Sequence, residues 1–380
     1  MAKFNLSEDS LNRSADTVGG TAREQVPVRY AISCREQGVV CGVADIVDLL
    51  TDHCNGPLSL RGKSDGERVQ AGELLLVLEG PFGELVPLET LCKGILSLST
   101  AAGNMARLVE AAGDSIRIVD TSAGRYPPEL IGPIAVAAAV GGARGTTTQA
   151  GQTAVSERFG LGGDQIRVGS RPPVSFSLYG SVPGALETLY GGDAVEAADA
   201  FHKACSYASV TLRVGADGRE RDTVTEAVRR FGSSLEAIRL DTPPDRLHQG
   251  GHEQPTRTLE MRILSQAADR AAAQAALDRC GFGPGVTVEA VYAMRDLLDS
   301  LGGRYTKIIV GDGFGVEKIQ AFRICNAPID IIETDDWVEF GQIVVELAAV
   351  FEDGQWVSCL KGGRPAALVI PEDLPVIFQK

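Results

Sequence analysis

A chain of 380 residues is too long for one ordinary compact domain, so two are expected, one of them long enough for a barrel of roughly 250 residues. Fifty acidic against thirty-six basic side chains leave a formal charge of −14, which repels nucleic-acid phosphates and anionic lipid and argues against nucleic acid as a partner. No apolar run reaches the ~20 residues that span a bilayer, and the polar start of the chain carries no apolar signal core, so a cytoplasmic protein with no membrane partner is expected.

Residues 1–25 are rich in Ser, Asp, Asn and Gly and read as a flexible tail. From Val26 onward short alternating runs, Val39 to Val43 and Leu74 to Leu78, read as strands between charged and glycine-bearing turns, the first part of a sandwich domain over residues 26–98. At Leu88 the texture changes. Leu91, Ile95, Leu98, Ala102, Met105 and Leu108 recur at helical spacing, which predicts one long amphipathic helix ending at Gly113.

Beyond that helix apolar strands alternate with helical segments. Strands are expected at Ile116 to Asp120, Val174 to Tyr179, Val210 to Val214, Ala237 to Asp241, Lys307 to Val310 and Ile329 to Glu333, with helices such as Glu129 to Ala139 and Thr223 to Phe231 between them. Such βα repetition predicts an incomplete, TIM-like α/β barrel over residues 99–337. Residues 338–380 revert to short antiparallel strands, Val344 to Phe351, Gln355 to Leu360 and Ala366 to Ile370, which would return to the sandwich and make that α+β domain discontinuous. The eight cysteines lie far apart with no CxxC pair, as reduced and mostly buried thiols do.

A βα barrel carries its chemistry at the carboxyl ends of its strands. The residues there are Asp120 to Arg125, then Gly141 to Thr148 with Arg144, Thr146 and Thr147, then Gly180 and Ser181, then Arg239 and Asp241, then Gly311 to Gly313 with Asp312. Each alone is an ordinary turn or cap residue; their recurrence at successive strand ends points to a site. His248 and His252 stand four apart, yet Gly250 and Gly251 between them argue against a helical metal pair. The glycines from Gly311 to Gly315 lack the βαβ spacing of a dinucleotide fingerprint.

Several stretches together carry a family resemblance. Gly66-Glu67-Arg68-Val69-Gln70-Ala71-Gly72-Glu73, Leu78-Glu79-Gly80-Pro81 and Glu89-Thr90 before the long helix are followed by Asp120-Thr121-Ser122-Ala123-Gly124-Arg125 and Val140 to Thr147. Tyr179 to Leu186, Ile238 to Pro243 and Lys307 to Gly313 complete the series. In this order the chain resembles the nicotinate and quinolinate phosphoribosyltransferases, most of all the nicotinate branch.

The resemblance implies transfer of phosphoribosyl from phosphoribosyl pyrophosphate (PRPP) to a pyridine carboxylate, nicotinate, giving the mononucleotide of NAD biosynthesis or salvage, in a homo-oligomer of at least two chains. It assigns the acceptor carboxylate to Arg125, phosphate contacts to Arg144, Thr146 and Thr147, a substrate contact to Ser181, and the ribose and diphosphate to Arg239 and Asp241. Asp241 and Asp312 are the catalytic pair, with Asp312 on Mg²⁺ or a ribose hydroxyl. Gly184 stands where the nicotinate enzymes carry the histidine that ATP phosphorylates, so ATP coupling is not expected. Ile332 to Trp337 replaces their late Gly-Val-Gly-Thr-Ser phosphate turn. An ATP-independent, quinolinate-type transferase and a non-catalytic nucleotide-binding homologue are the alternatives.

Overall fold

Apolar strands, the two longest of the first five buried along almost their whole length, build one layer of the protein. In the computed structural model, which describes residues 6–206, 208–311, 313–359, 370–371 and 373–380, the first strands are β1 (Pro27–Cys34), β2 (Gly38–Val39), β3 (Ser59–Gly62), β4 (Arg68–Val69) and β5 (Leu74–Pro81). The barrel strands follow: β6 (Arg117–Asp120), β7 (Gly145–Thr146), a small antiparallel excursion of β8 (Gly160–Gly162), β9 (Gln165–Ile166) and β10 (Val174–Ser175), then β11 (Ser177–Leu178), β12 (Val210–Val214), β13 (Leu235–Leu240), β14 (Lys307–Val310) and β15 (Ile331–Thr334). The chain ends in β16 (Ile343–Glu352), β17 (Gln355–Ser358) and β18 (Val376–Gln379).

The sandwich sheet runs β17-β16-β1-β5-β3-β18, with β1 antiparallel to both β5 and β16. Ile32, Leu60, Leu76 and Leu78 bury one face against Ile46 and Leu50 of the Val43–His53 helix. The strand expected over Ala366 to Ile370 lies mostly outside the described residues, as does Leu360.

Two local expectations are corrected. The leader holds a helix, Asp9–Val18, whose Leu11, Ala15 and Val18 form one less exposed stripe, with Ala15 buried; the polar residues around that stripe hid it from a composition reading. The run Val174 to Tyr179 is two strands, because β10 pairs back onto β9 while β11 joins β7 in the barrel. The long helix is nearly continuous, Glu89–Leu96 and Leu98–Ala112, with Ser97 between them.

The second layer is the curled parallel sheet β11-β7-β6-β15-β14-β13-β12, as the α/β-barrel reading predicts. Side chains alternate across it. Ile118, Leu212, Ile238, Ile308, Val310 and Ile332 face the helices, while Val119, Ala237, Ile309 and Ile331 cluster inside the curl. Its two edges meet where the Val182 N–H donates to the Thr211 carbonyl at 3.0 Å, so the barrel is drawn round without a full ladder. No helix among the described residues is long and apolar enough to cross a membrane. All eight cysteines are free thiols and five are buried; burial pushes Cys54 and Cys92 up to about 12, which leaves them inert as nucleophiles.

The two layers touch through glycine. A Cβ on Gly103 would lie 2.6 Å from the Gly38 Cα, and one on Gly38 would lie 2.5 Å from the Ser99 carbonyl oxygen. Backbone meets backbone here, so no flexible side chain can yield. Gly103→Val is expected to cost about 1–3 kcal/mol through overpacking, despite the better helix propensity of valine. The check is a lower urea midpoint at unchanged slope.

Candidate active site

The inner face of the curl becomes charged toward the carboxyl ends of the strands. Arg213 on β12, Arg239 on β13 and Glu333 on β15 share the inward parity of Ala237 and Ile331, and Asp241 follows β13 at the same parity. They form one alternating ladder. Arg213 Nη2 donates to Asp241 Oδ2, Arg239 Nη1 lies 3.2 Å from Asp241 Oδ1, and Arg239 Nε donates to Glu333 Oε2 at 2.6 Å. The side chains of Arg239, Asp241 and Glu333 are only 14%, 13% and 9% exposed, so water screens these pairs far less than it does a surface ion pair.

Small residues make room for the ladder. A Cβ on Gly311 would sit 2.8 Å from Arg239 Nη2, and one on Gly184 would sit 2.8 Å from Arg213 Nη1. On the opposite wall the Tyr179 ring lies over Gly145, 2.5 Å from where its Cβ would be.

Arg125 closes the 3₁₀ turn Ser122–Arg125 after β6, half exposed, and its Nε donates to Asp335 Oδ2 at 2.8 Å, with Asp336 at 3.8 Å. The carboxylates that replace the phosphate turn are thus each met by an arginine: Glu333 by Arg239, Asp335 and Asp336 by Arg125. Asp120 is buried. It accepts from the Ser122 N–H and hydroxyl at 3.0 and 2.6 Å, from Thr146 Oγ1 at 3.3 Å and from Trp337 Nε1 at 3.1 Å, and so fastens the ends of β6, β7 and β15 together.

The expected site residues therefore divide. Arg239 and Asp241 meet in the ladder, and Arg125 stands on a neighbouring turn. Thr146 spends its hydroxyl on Asp120, which leaves the half-buried Thr147 and Ser181 as the hydroxyls nearer the mouth. Arg144 does not reach the mouth: it precedes β7 and lines a cavity at the opposite end of the barrel with Arg117 and Asp114. Asp312 lies outside the described residues. Arg213 and Glu333 were not singled out from sequence, although a charge at inward parity within an apolar strand (Val-Thr-Leu-Arg-Val, Ile-Ile-Glu-Thr) is the signal that marks them.

Glu289 fastens the 241–256 loop through His252, whose backbone N–H and ring Nδ1 meet it at 2.9 and 2.6 Å, while the buried His248 ring stands 3.5 Å from the same acid. Among the described residues no group of three His, Cys, Asp or Glu converges to hold a metal. Asp241 and Glu333 are already engaged by arginines, so the described residues offer no dedicated Mg²⁺ cage.

Beside the ladder, Gly184, Glu187, Arg213 and Asp217 line a cavity of about 370 Å³. Burial holds the Glu187 carboxyl above its ordinary range; Asp241 and Asp217 add to this, and Arg213 opposes it. A carboxyl raised in the folded state leaves the native protein holding more protons than the unfolded chain, so its contribution to stability falls as pH rises through and above the usual value of 4.5. Glu187→Gln removes that dependence. Denaturation midpoints of the variant are expected to gain on wild type as pH rises from about 4 to about 6.

Residues 16–100 match the family model described as quinolinate phosphoribosyl transferase, N-terminal domain. No curated protein matches the chain in sequence. Among solved structures, the chain is similar to nicotinate-nucleotide pyrophosphorylase from Pyrococcus furiosus, with a TM-score of 0.65 and 18% identity over 96% of this chain and 81% of that one. The same enzyme from Ehrlichia chaffeensis aligns with a TM-score of 0.53 and 13% identity over 90% of this chain and 100% of that one. Human nicotinic acid phosphoribosyltransferase aligns with a TM-score of 0.56 and 14% identity over 91% of this chain and 74% of that one. The sequence resemblance is borne out at the level of fold: this chain has the barrel-and-sandwich architecture of these proteins.

Proposed function

On that architecture, we propose that the chain is a phosphoribosyltransferase of pyridine-nucleotide metabolism, which moves the phosphoribosyl group of PRPP to the ring nitrogen of an aromatic carboxylate, nicotinate. The observation that carries this reading is the Arg213–Asp241–Arg239–Glu333 ladder at the carboxyl ends of β12, β13 and β15. In the transfer the C1–oxygen bond to pyrophosphate breaks, the C1–nitrogen bond forms, and the leaving group takes the electron pair. Such a step passes through oxocarbenium character and asks for placed charges more than for a nucleophile.

The ladder supplies both signs. Arg213 and Arg239 face the developing charge of the diphosphate, while Asp241 and Glu333 face the cationic ribose carbon and its hydroxyls. Mg²⁺ belongs with the diphosphate of the substrate, where it completes charge neutralisation that two arginines begin. Arg125 takes the acceptor carboxylate by exchanging it for Asp335, since its planar fork suits either anion. Thr147 and Ser181 remain as hydroxyl donors to the phosphate of the donor or the acceptor ring.

The reaction runs without ATP. Gly184 has no group to phosphorylate, and Arg213 occupies the space a larger residue would need. Turnover of PRPP and nicotinate is expected to be unchanged by ATP, and γ-labelled ATP is expected to leave no acid-labile, alkali-stable label on the chain. Quinolinate as acceptor is the second reading, favoured by the match of residues 16–100 to the quinolinate-type N-terminal domain. Side-by-side turnover with the two acceptors separates them. Binding of PRPP without turnover of either would instead mark a non-catalytic homologue.

A further inference from the structure

The other end of the barrel carries a second concentration of charge. A cavity of about 1000 Å³ opens between the sandwich and the amino ends of β6, β7 and β11, and Arg68, Arg117, Arg144 and Arg171 all line it. Arg171 is held in place by carbonyls, donating to Val140 at 2.6 Å and to Gly66 at 2.9 Å, and so ties barrel to sandwich without meeting a carboxylate. Arg68 reaches Glu110 at 3.0 Å on the exposed rim. The side chains of Arg117 and Arg144 make no hydrogen bond or ion pair among the described residues.

The cluster is electrostatically incomplete. Burial holds Arg144 below its ordinary range and Arg117 adds to this, with Asp114 as the acid that opposes it; burial does the same to Arg171, with Arg68 and Arg144 adding. In a chain with a net charge of −14, acids to neutralise these guanidiniums are plentiful, yet the cavity is lined by four arginines against Glu110 and Asp114. Like charges gathered in a partly desolvated groove cost stability unless a counter-ion joins them.

We propose that this groove is an anion site for a small phosphorylated metabolite of nucleotide size, separate from the barrel mouth, whose occupancy steadies the join of barrel and sandwich. Guanidinium forks recognise phosphate oxygens bidentately, and arginines spread along one groove suit a diphosphate better than a single carboxylate. The amino face of a barrel reads as a stability face, so occupancy there acts on how firmly barrel and sandwich are joined at Arg171.

The test titrates the full chain at low salt with inorganic pyrophosphate and, separately, adenosine diphosphate, by calorimetry and thermal shift. The expected result is a binding event that Arg144→Ala and Arg117→Ala each weaken at least about tenfold and that Arg239→Ala, at the mouth, leaves in place. Tighter binding of adenosine diphosphate than of pyrophosphate identifies a nucleotide as the ligand; equal binding identifies the diphosphate alone. Without ligand, Arg144→Ala is expected to melt no lower than wild type, because it relieves repulsion. No event that Arg144→Ala weakens, so that all binding is lost in Arg239→Ala and kept in Arg144→Ala, no binding of either probe, or a lower melting temperature of unliganded Arg144→Ala would each overturn the proposal.

Discussion

Arg239→Ala is expected to lower kcat/KM for phosphoribosyl transfer by at least about a thousandfold, the scale of losing a placed charge at a developing anion, and to destabilise the fold by about 3–5 kcal/mol. Both effects come from one geometry. Arg239 holds Glu333 through Nε at 2.6 Å and Asp241 through Nη1 at 3.2 Å, and removing it leaves two largely buried carboxylates, of which Asp241 keeps Arg213 as its cation. Arg239→Lys separates the effects. A single ammonium keeps the charge but cannot reproduce the fork, so stability is expected to return in part while kcat stays low. Urea titration and a KM-against-kcat analysis measure the two. If Arg239→Ala unfolds easily yet retains its kcat, the ladder holds the barrel together and the chemistry lies elsewhere.

How far such a site can be read from sequence depends on the range of its contacts. The barrel was legible because most of its strands are short apolar runs between turns: the runs at Val210 to Val214 and Lys307 to Val310 are β12 and β14 as expected, whereas the two-residue Gly145–Thr146 is no such run. Asp241 and Arg239 were legible because they end such a run. Their partners were not, since Arg213 lies 28 residues before Asp241 and Glu333 lies 94 residues after Arg239, and only the parallel register brings them side by side. Arg144 shows the opposite hazard. Strand β7 is two residues long, Gly145–Thr146, too short to show as an apolar run, so Arg144 reads in the sequence as following a strand although it precedes one, at the amino end of the barrel. Thr146 misleads in a related way. A hydroxyl near a glycine-rich turn suggests phosphate, but burial beside Asp120 gives it a protein partner first. The leader helix was missed because three apolar residues sufficed for its contact face, too few to shift a polar composition.

Placing a histidine at position 184 is expected to reduce transfer about a hundredfold, on the scale of losing one placed hydrogen-bond donor, and to confer no dependence on ATP. The position looks open only in the sequence. In the fold, a Cβ there would approach Arg213 Nη1 to 2.8 Å, closer than side chains pack, and the imidazole would extend further into the same space. Arg213 would have to swing away and release Asp241, breaking the ladder at its first rung. The rest of that cavity is no kinder to a phosphohistidine: Glu187 and Asp217 line it, and a phosphoryl group would sit against both with its principal cation displaced. Gly184→Ala calibrates the argument, since it adds only the Cβ and should show a milder loss. Steady-state rates with and without ATP, alongside labelling by γ-labelled ATP, read the outcome. Stoichiometric labelling of Gly184→His together with a rate raised by ATP would mean that Arg213 yields readily, and that a glycine here withholds ATP coupling from a site otherwise able to support it.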